Sequence, residues 1–366
     1  MLFNKIVSLA AFASLAWAQS ITDVLTQNKD NLSALIGLLA TQPELLKSIA
    51  ETKDITILAP NNKAIETLLS TDAGKAAAAN PALVKAILQY HVLSGVFPST
   101  AFSSKPAFAA SLLTDATYAN VTGGQRVKAV APEGRPKGTV IISSGLLADS
   151  NVVVADVKFD GGVIHVIDEV LTIPTAASVT AAAANLTALT GALTTANLVG
   201  TVDGLKDVTI FAPSNAAFEA IAATTAGLSV QQLSSILTYH VVAGTVGYSS
   251  TLTNTKLKTV NGAELEIKVS GADVFVNQAK VIVADVLIAG GVVHVIDGIG
   301  EDEVTDLNSS VLLPSGSGTN TSTPSPNATA SATPTPNVVL TSGAGSTMGA
   351  VGLGALVGGA ALLFNL

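Results

Sequence analysis

The sequence predicts an α+β fold that occurs twice in tandem. Lys53–Pro60 returns as Lys206–Pro213, and Gly161–Asp168 returns as Gly290–Asp297. The offset of 153 residues between Lys53 and Lys206 is that of a domain rather than of a solenoid repeat. Within each copy, helical spacing comes first and short β-branched runs come last, which is the α+β order.

The helical part of each copy is marked by apolar spacing and by start signals. Leu32–Leu39 carries leucine or isoleucine at i, i+3, i+4 and i+7, so we expect a helix with Asn31 as its N-cap. Pro81, favoured at a first helical position, begins a second helix through Leu88. The equivalent Asn185 is expected to cap a helix in the second copy.

The strands follow from β-branched runs bounded by turn residues. Thr56–Leu58 is stopped by Pro60, while Val152–Val154 and Val163–Val170 flank the Gly161–Gly162 turn. His91 and His165 are 74 residues apart, but His240 and His294 only 54. We therefore expect an insertion of about 20 residues in the first copy, around Thr122–Ser144. The last strand of the second copy is expected to be shorter.

Composition excludes several functions. The chain has 366 residues, a net charge of −8 and a mean hydropathy of +0.53. This acidic balance offers no surface for nucleic acid. Because cysteine is absent, neither a disulfide nor a Cys-ligated metal is available, and each domain must be stabilised by its core alone.

Both ends of the chain predict export and anchoring. Residues 1–18 join Lys5, an apolar run and Ala16-Trp17-Ala18, the pattern of a cleaved signal peptide. Domains are expected at 19–173 and 174–305, followed by a Ser/Thr/Pro-rich stalk at 306–341. Residues 342–366 hold small residues and then an apolar tail without a final positive charge. This order predicts a glycosylphosphatidylinositol anchor attached at Ser342 or Gly343, rather than a transmembrane helix.

Two repeated motifs resemble the fasciclin-like domain. The first is T-[IV]-[LF]-A-P-x-N-x-A-[IF], at Thr56–Ile65 and Thr209–Phe218; the second is G-V-[IV]-H-V-[IV]-D, ending each copy. The resemblance implies a β-wedge of two sheets flanked by helices, and adhesion to proteins or polysaccharides. The whole layout is similar to that of fungal, wall-associated members.

The resemblance also implies candidate binding residues. In animal relatives, a Tyr-His segment and an Asp-Ile pair before the last motif are implicated in integrin binding. Isoleucine is replaced by valine in both copies here, so only the surface carries over. The matching residues are Tyr90, His91, Asp156, Val157, Tyr239, His240, Asp285 and Val286.

All four histidines occupy repeat-equivalent positions, which raises the question of an enzyme. His165 lies in an apolar strand, where a histidine is more often a hydrogen-bonded core residue. Two histidines with Asp156 or Asp168 could form a metal site on paper, but no H-x-H or H-E-x-x-H spacing supports it. Neither a G-x-S-x-G elbow nor a phosphate loop is present. We predict no catalytic residue, metal or cofactor.

The remaining polar repeats are interpreted structurally. Asn62 and Asn215 are expected to cap turns or helix starts. Asp168 and Asp297 are expected to accept backbone N–H groups where strands end. Six N-x-[ST] sequons are candidate glycosylation sites: Asn31, Asn120, Asn185, Asn308, Asn320 and Asn327.

The sequence therefore predicts a lipid-anchored extracellular binding protein, on the outer face of the plasma membrane or in the cell wall. Its expected partners are wall polysaccharide or cell-surface proteins. Two alternatives stay open at this point: a secreted hydrolase or metal-dependent enzyme using the His and Asp positions, and a passive structural component of the wall.

Overall fold

The computed structural model describes residues 19–136 and 139–299. No helix in this part of the chain combines the length and the apolar character needed to cross a bilayer. The predicted signal peptide, stalk and anchor signal lie outside the described residues, and with them Asn308, Asn320, Asn327, Ser342 and Gly343.

Domain 1 places its helices against one side of a sheet. The predicted helix start at Pro81 is confirmed, and its N-cap is Asn80, which accepts from the backbone N–H groups of Ala82 and Leu83. The helices are α1 (Ile21–Gln27), α2 (Lys29–Ala40), α3 (Pro43–Glu51), α4 (Asn62–Ser70), α5 (Asp72–Ala78) and α6 (Pro81–Tyr90).

Seven strands of domain 1 form the predicted wedge of two sheets. They are β1 (Ile55–Pro60), β2 (Val92–Ser94), β3 (Ala107–Ala110), β4 (Arg126–Val130), β5 (Ile141–Ser143), β6 (Asp149–Phe159) and β7 (Gly162–Ile167). Their order is β2-β1-β7-β6-β5-β4-β3. The long strand β6 belongs to both sheets: its start pairs with β5 and its end with β7. Register shifts between Val152 and Val157 bend it.

Domain 2 repeats this topology. Its helices are α7 (Ala177–Ala183), α8 (Thr187–Thr195), α9 (Val199–Asp203), α10 (Asn215–Ala220), α11 (Ala222–Thr225) and α12 (Val230–Tyr239). Its strands are β8 (Val208–Pro213), β9 (Val241–Val242), β10 (Thr255–Lys258), β11 (Glu264–Ser270), β12 (Asp273–Val276), β13 (Ala279–Ile288) and β14 (Gly291–Ile296), in the order β10-β11-β12-β13-β14-β8-β9.

The final motif of each copy is the central strand of its domain. β7 pairs in parallel with β1 and antiparallel with β6. Ile164 and Val166 pack into the core shared with the helices, whereas Ile167 packs into a second core inside the wedge. The same strand therefore supports both cores, which explains why its sequence is almost wholly apolar.

The position of the insertion differs from the prediction. The connection from β3 to β4 has fifteen residues, 111–125, whereas the connection from β10 to β11 has five, 259–263. About half of the extra length thus lies between β3 and β4, largely before Thr122, and most of the rest lies between β4 and β5. The shorter last strand is also wrong, since β7 and β14 both have six residues.

The four asparagines predicted as caps do not cap helices. Asn31 lies inside α2, which begins at Lys29, and Asn185 precedes α8 with a φ of 56°. Helix α4 is capped by Asn61 rather than Asn62. Asn62 instead joins two helices, because its Oδ1 accepts from the Ala34 N–H at 2.9 Å. Asn215 accepts from the Ala188 N–H in the same way, so both asparagines are structural by another route.

Candidate binding surfaces

The Tyr-His pairs lie inside the domains. Tyr90 is fully buried and donates through its hydroxyl to the Arg126 carbonyl at 2.8 Å. His91 donates from Nδ1 to the Ile87 carbonyl and accepts the Leu171 N–H at Nε2, at 2.8 and 2.9 Å. Burial lowers the pKa of His91 to about 4. Tyr239 and His240 repeat the arrangement, donating to the carbonyls of Glu264 and Ile236.

The second pair of histidines positions loops. His165 is 1% exposed; its Nε2 donates to the Phe97 carbonyl at 2.8 Å, and its Nδ1 accepts the Asp156 N–H at 3.2 Å. His294 makes the same two contacts, with the Gly247 carbonyl and the Asp285 N–H. Burial lowers the pKa of His294, against the opposing effect of the Asp285 carboxylate. The interpretation of these residues as hydrogen-bonded core histidines agrees with the structure.

Asp156 and Asp285 stand at bulges with left-handed backbone, φ 62° and 65°. Each carboxylate accepts the N–H and the hydroxyl of one serine, Ser99 in domain 1 and Ser249 in domain 2. Burial pushes the pKa of Asp156 up, but the bonds from Ser99, with the field of His165, outweigh it and hold the pKa below its usual value. The two carboxylates therefore hold the β2–β3 connection of domain 1 and the β9–β10 connection of domain 2, which contain these serines.

The alternative of an enzyme receives no support from this geometry. Each of the four imidazoles donates to a main-chain carbonyl. Among the described residues, no group of three or more His, Asp or Glu side chains is placed to hold a metal ion.

The predicted role of Asp168 and Asp297 is confirmed, since they accept the N–H groups of Asn151 and Lys280.

The long β3–β4 loop of domain 1 docks onto domain 2. The Asn120 N–H donates to the Ala289 carbonyl at 2.6 Å, and the Thr122 N–H donates to the Asp207 carboxylate at 2.6 Å. Gln125, which is fully buried, donates to the Ile288 carbonyl at 3.1 Å. The extra length of the loop is the one feature of the sequence that relates to this contact.

An aromatic stack also joins the two domains. It lies beside only one of the two candidate Asp-Val pairs, that of domain 2. Phe108 of domain 1 lies 4.0 Å from Tyr248 of domain 2 between ring centroids. Next to it, Asp285 is 3% exposed and Val286 5%. Asp156 and Val157 are only partly buried. Domain 1 therefore presents its Asp-Val pair to solvent more than domain 2 does.

Exposed β-branched residues mark a second repeated surface. Val153 is 52% exposed and its counterpart Ile282 is 41% exposed, each three residues before the bulge aspartate. The run Val152–Val154 predicted a strand but not its exposure. Val154 is 42% exposed as well, because the register shift between Val152 and Val154 interrupts the alternation of the strand.

The Asn120 sequon is part of the interdomain contact. Its Nδ2, the atom that would carry a glycan, donates to the carbonyls of Gly204 and Leu205 at 3.3 and 3.2 Å. Asn31 and Asn185 are exposed instead. We expect glycan occupancy at Asn120 to be much lower than at Asn31 and Asn185, because a sugar on Nδ2 would displace these carbonyls. Glycopeptide mass spectrometry of the secreted protein measures this, and full occupancy at Asn120 would contradict it.

Domain 2 contains an apolar cavity of about 40 Å³ beneath α7. Its lining from α7 is Ala177, Thr180 and Ala181. Helix α1 of domain 1 carries larger apolar side chains in the same register, with Ile21 and Leu25 3% and 4% exposed. The cavity therefore corresponds to side-chain volume that the first repeat retains and the second lacks.

We expect Ala181→Leu to raise the free energy of unfolding by up to about 1 kcal/mol, since about 24 cal/mol is lost per Å³ of cavity. Urea unfolding followed by circular dichroism measures it. As the matched variant, Leu25→Ala should cost domain 1 roughly 2–5 kcal/mol. A destabilised Ala181→Leu protein would show that α7 cannot accommodate the larger side chain.

Comparison with known proteins identifies the class. The family model of the Fasciclin domain matches residues 30–174 and 184–299. These ranges coincide with the two wedges, so the chain belongs to the fasciclin domain family and the resemblance seen in the motifs is confirmed. Among solved structures, a FAS1 domain pair from the insect cell adhesion molecule Fasciclin I covers 74% of this chain and 98% of its own, with 17% identity and a TM-score of 0.36.

Within this family the chain is similar to fungal proteins. A fasciclin-like arabinogalactan protein of Arthroderma benhamiae is 32% identical over 295 residues, covering 80% of this chain and 69% of the relative. The fasciclin-like arabinogalactan protein CTB11 of Cercospora beticola is 31% identical over 304 residues, covering 81% and 80%. The cell surface glycolipoprotein MPB83 of Mycobacterium bovis is 39% identical over 106 residues, covering 28% and 47%. These similarities indicate a cell-surface or adhesion role.

Proposed function

We propose that this protein is a lipid-anchored adhesion protein whose two fasciclin domains contact wall polysaccharide or other surface proteins. The observation that carries the proposal is the pair of fasciclin domains, each intact from its first helix to its last strand. Relatives named as cell surface glycolipoproteins support the location. The buried, main-chain-bonded histidines favour contact over catalysis, since such imidazoles are not free to exchange protons with a substrate.

The anchor is tested by releasing the protein from intact cells. We expect a phosphatidylinositol-specific phospholipase to release most of the surface-bound chain and to reduce cell adhesion with it. A chain truncated after residue 341 is the matched control, and it should be secreted without any phospholipase. Retention on the cell after treatment would reject the lipid anchor.

The binding role is tested with the segment 19–305 on an array of wall polysaccharides and surface proteins. Saturable binding to at least one member is expected. Turnover of a substrate by the same segment, lost in His165→Gln and His294→Gln proteins that remain folded, would instead support the enzyme.

A further inference from the structure

Domain 2 holds the β3–β4 loop of domain 1 in a surface that we name the interdomain socket. The socket joins hydrogen-bond acceptors to an apolar wall. Its acceptors are the Asp207 carboxylate and the carbonyls of Gly204, Leu205, Ile288 and Ala289; its wall is Val246, Tyr248, Leu287 and Val292. The docked loop supplies backbone N–H groups, two side-chain amides and the Thr122 hydroxyl to these acceptors, and its Asn120 carbonyl accepts the Asp207 N–H at 3.2 Å.

Domain 1 carries the polar half of the same socket. Asp54 is the repeat equivalent of Asp207, and both have left-handed backbone, φ 56° and 51°. Asp160 is the equivalent of Ala289. The Asp160 N–H donates to the Gln19 carbonyl at 2.9 Å, as the Ala289 N–H donates to the Thr175 carbonyl at 2.8 Å. The backbone that presents these acceptors is therefore built alike in both domains.

This second socket is open. Asp54 is exposed, and within residues 19–136 and 139–299 no group donates to its carboxylate. Asp207, by contrast, accepts both the N–H and the hydroxyl of Thr122. The same left-handed turn thus presents a carboxylate in both domains. In domain 2 it binds a donor loop, and in domain 1 it faces solvent, which indicates a docking position that this chain does not use.

The apolar half of the socket has changed in domain 1. Pro98 replaces Tyr248, and the exposed Lys158 replaces Leu287. An aromatic ring such as Phe108 would find no stacking partner there. Asp160 is ion-paired with Lys53, so its charge is already compensated, and the charge of Lys158 favours an acidic side chain on the partner.

A second copy of this chain does not fit. Domain 2 has only five residues between β10 and β11, so it lacks the loop that fills a socket. The loop of domain 1 is already engaged within its own chain. The strands β10 and β11 present Lys256, Lys258, Glu264 and Glu266 instead of Phe108. Copies of this chain therefore cannot assemble into a polymer through the open socket of domain 1.

We propose that the open socket of domain 1, centred on Asp54 and Lys158, binds a loop of a different protein. The loop offers backbone N–H and hydroxyl donors to Asp54 and an acidic side chain to Lys158. The inference rests on the proposed adhesive function. Domain 1 is then the domain that contacts the partner, and the partner is a polypeptide rather than a polysaccharide.

The test uses the one loop whose fit to such a socket is visible in this structure. A synthetic peptide of residues 118–126 is added to the isotope-labelled mature chain, and amide shifts are followed by NMR; the peptide carries Gln125→Glu, because Gln125 contacts Ile288 beside Leu287, the equivalent of Lys158, and the change supplies the acidic side chain. We expect saturable shifts at Asp54 and Asp160 in the millimolar range, but none at Asp207, whose socket is filled. A peptide with Thr122→Val loses the hydroxyl donor and should bind at least several-fold more weakly.

The protein variants form a matched pair. Asp54→Asn keeps a residue that tolerates left-handed backbone and removes the charge, so it should abolish the shifts without lowering the unfolding temperature. Asp207→Asn should leave the shifts at domain 1 intact. The absence of shifts at 10 mM peptide, or unchanged binding by Asp54→Asn, would overturn the inference. So would array binding of the segment 19–305 to polysaccharides alone.

Adhesion separates this inference from the proposed function. Cells displaying Asp54→Asn should adhere several-fold less well than cells displaying the wild type. If adhesion is unchanged in Asp54→Asn, the socket assignment fails while the adhesive function stands. If the wild-type protein confers no adhesion, the function itself fails.

Discussion

Replacing Gly162 by alanine is expected to unfold domain 1. Gly162 pairs with Ile55 at the start of the parallel β1–β7 ladder and has a φ of +151°. An added Cβ would lie 1.8 Å from the Ile55 carbonyl oxygen, which is backbone and cannot rotate away. The two central strands would have to separate. Domains are stable by only about 5–15 kcal/mol, and a backbone clash of this kind costs above roughly 4 kcal/mol, so it removes a large part or all of the stability of domain 1.

The same chain provides the control. Gly37 lies exposed inside α2, and an added Cβ there meets nothing within 4 Å. Gly37→Ala should therefore stabilise domain 1 by up to about 1 kcal/mol through helix propensity. Urea unfolding and resistance to limited proteolysis compare the two variants. A Gly162→Ala protein with an unfolding midpoint equal to that of the wild type would refute the steric argument.

The features predicted correctly from the sequence are those that depend on local pattern. The β-branched run Val163–Val170 predicted a strand, and the structure places the two faces of that strand in two cores. Asp168 was expected to accept a backbone N–H, and it accepts that of Asn151. The wedge of two sheets was expected only because the two motifs resemble the fasciclin-like domain, and the family match confirms that resemblance.

The features that were wrong or unseen depend on contacts distant in sequence. Asn31 has the chemistry of a cap, but α2 begins two residues earlier, and local pattern fixes helix ends poorly. Asn120 was read only as a sequon. Its role requires Gly204, Leu205 and Ala289, which lie more than 80 residues away and contribute main-chain carbonyls. Backbone acceptors leave no trace in side-chain identity, so a single sequence does not reveal the interdomain socket.

Acid is expected to weaken domain 1 through His91. The imidazole is buried among apolar side chains, and Nε2 must stay unprotonated to accept the Leu171 N–H. Burial lowers the folded-state pKa of His91 to about 4, compared with an unfolded value of 6.5. The unfolded chain therefore binds a proton between these pH values while the folded chain does not. The free energy of unfolding of domain 1 is therefore unaffected by His91 above pH 6.5 and falls as the pH drops toward 4.

The expected loss from His91 is about 3 kcal/mol between pH 6.5 and pH 4, at 1.36 kcal/mol for each pKa unit. Asp156 acts in a different window, because its lowered pKa withdraws stability only below its usual value of 3.8. Urea unfolding at pH 7.5, 5.5 and 4.5 isolates the histidine effect. His91→Gln, which can still accept the Leu171 N–H but does not titrate, should flatten the slope. An equally steep slope in His91→Gln would assign the acid sensitivity to His294, whose burial lowers its pKa in the same direction within domain 2.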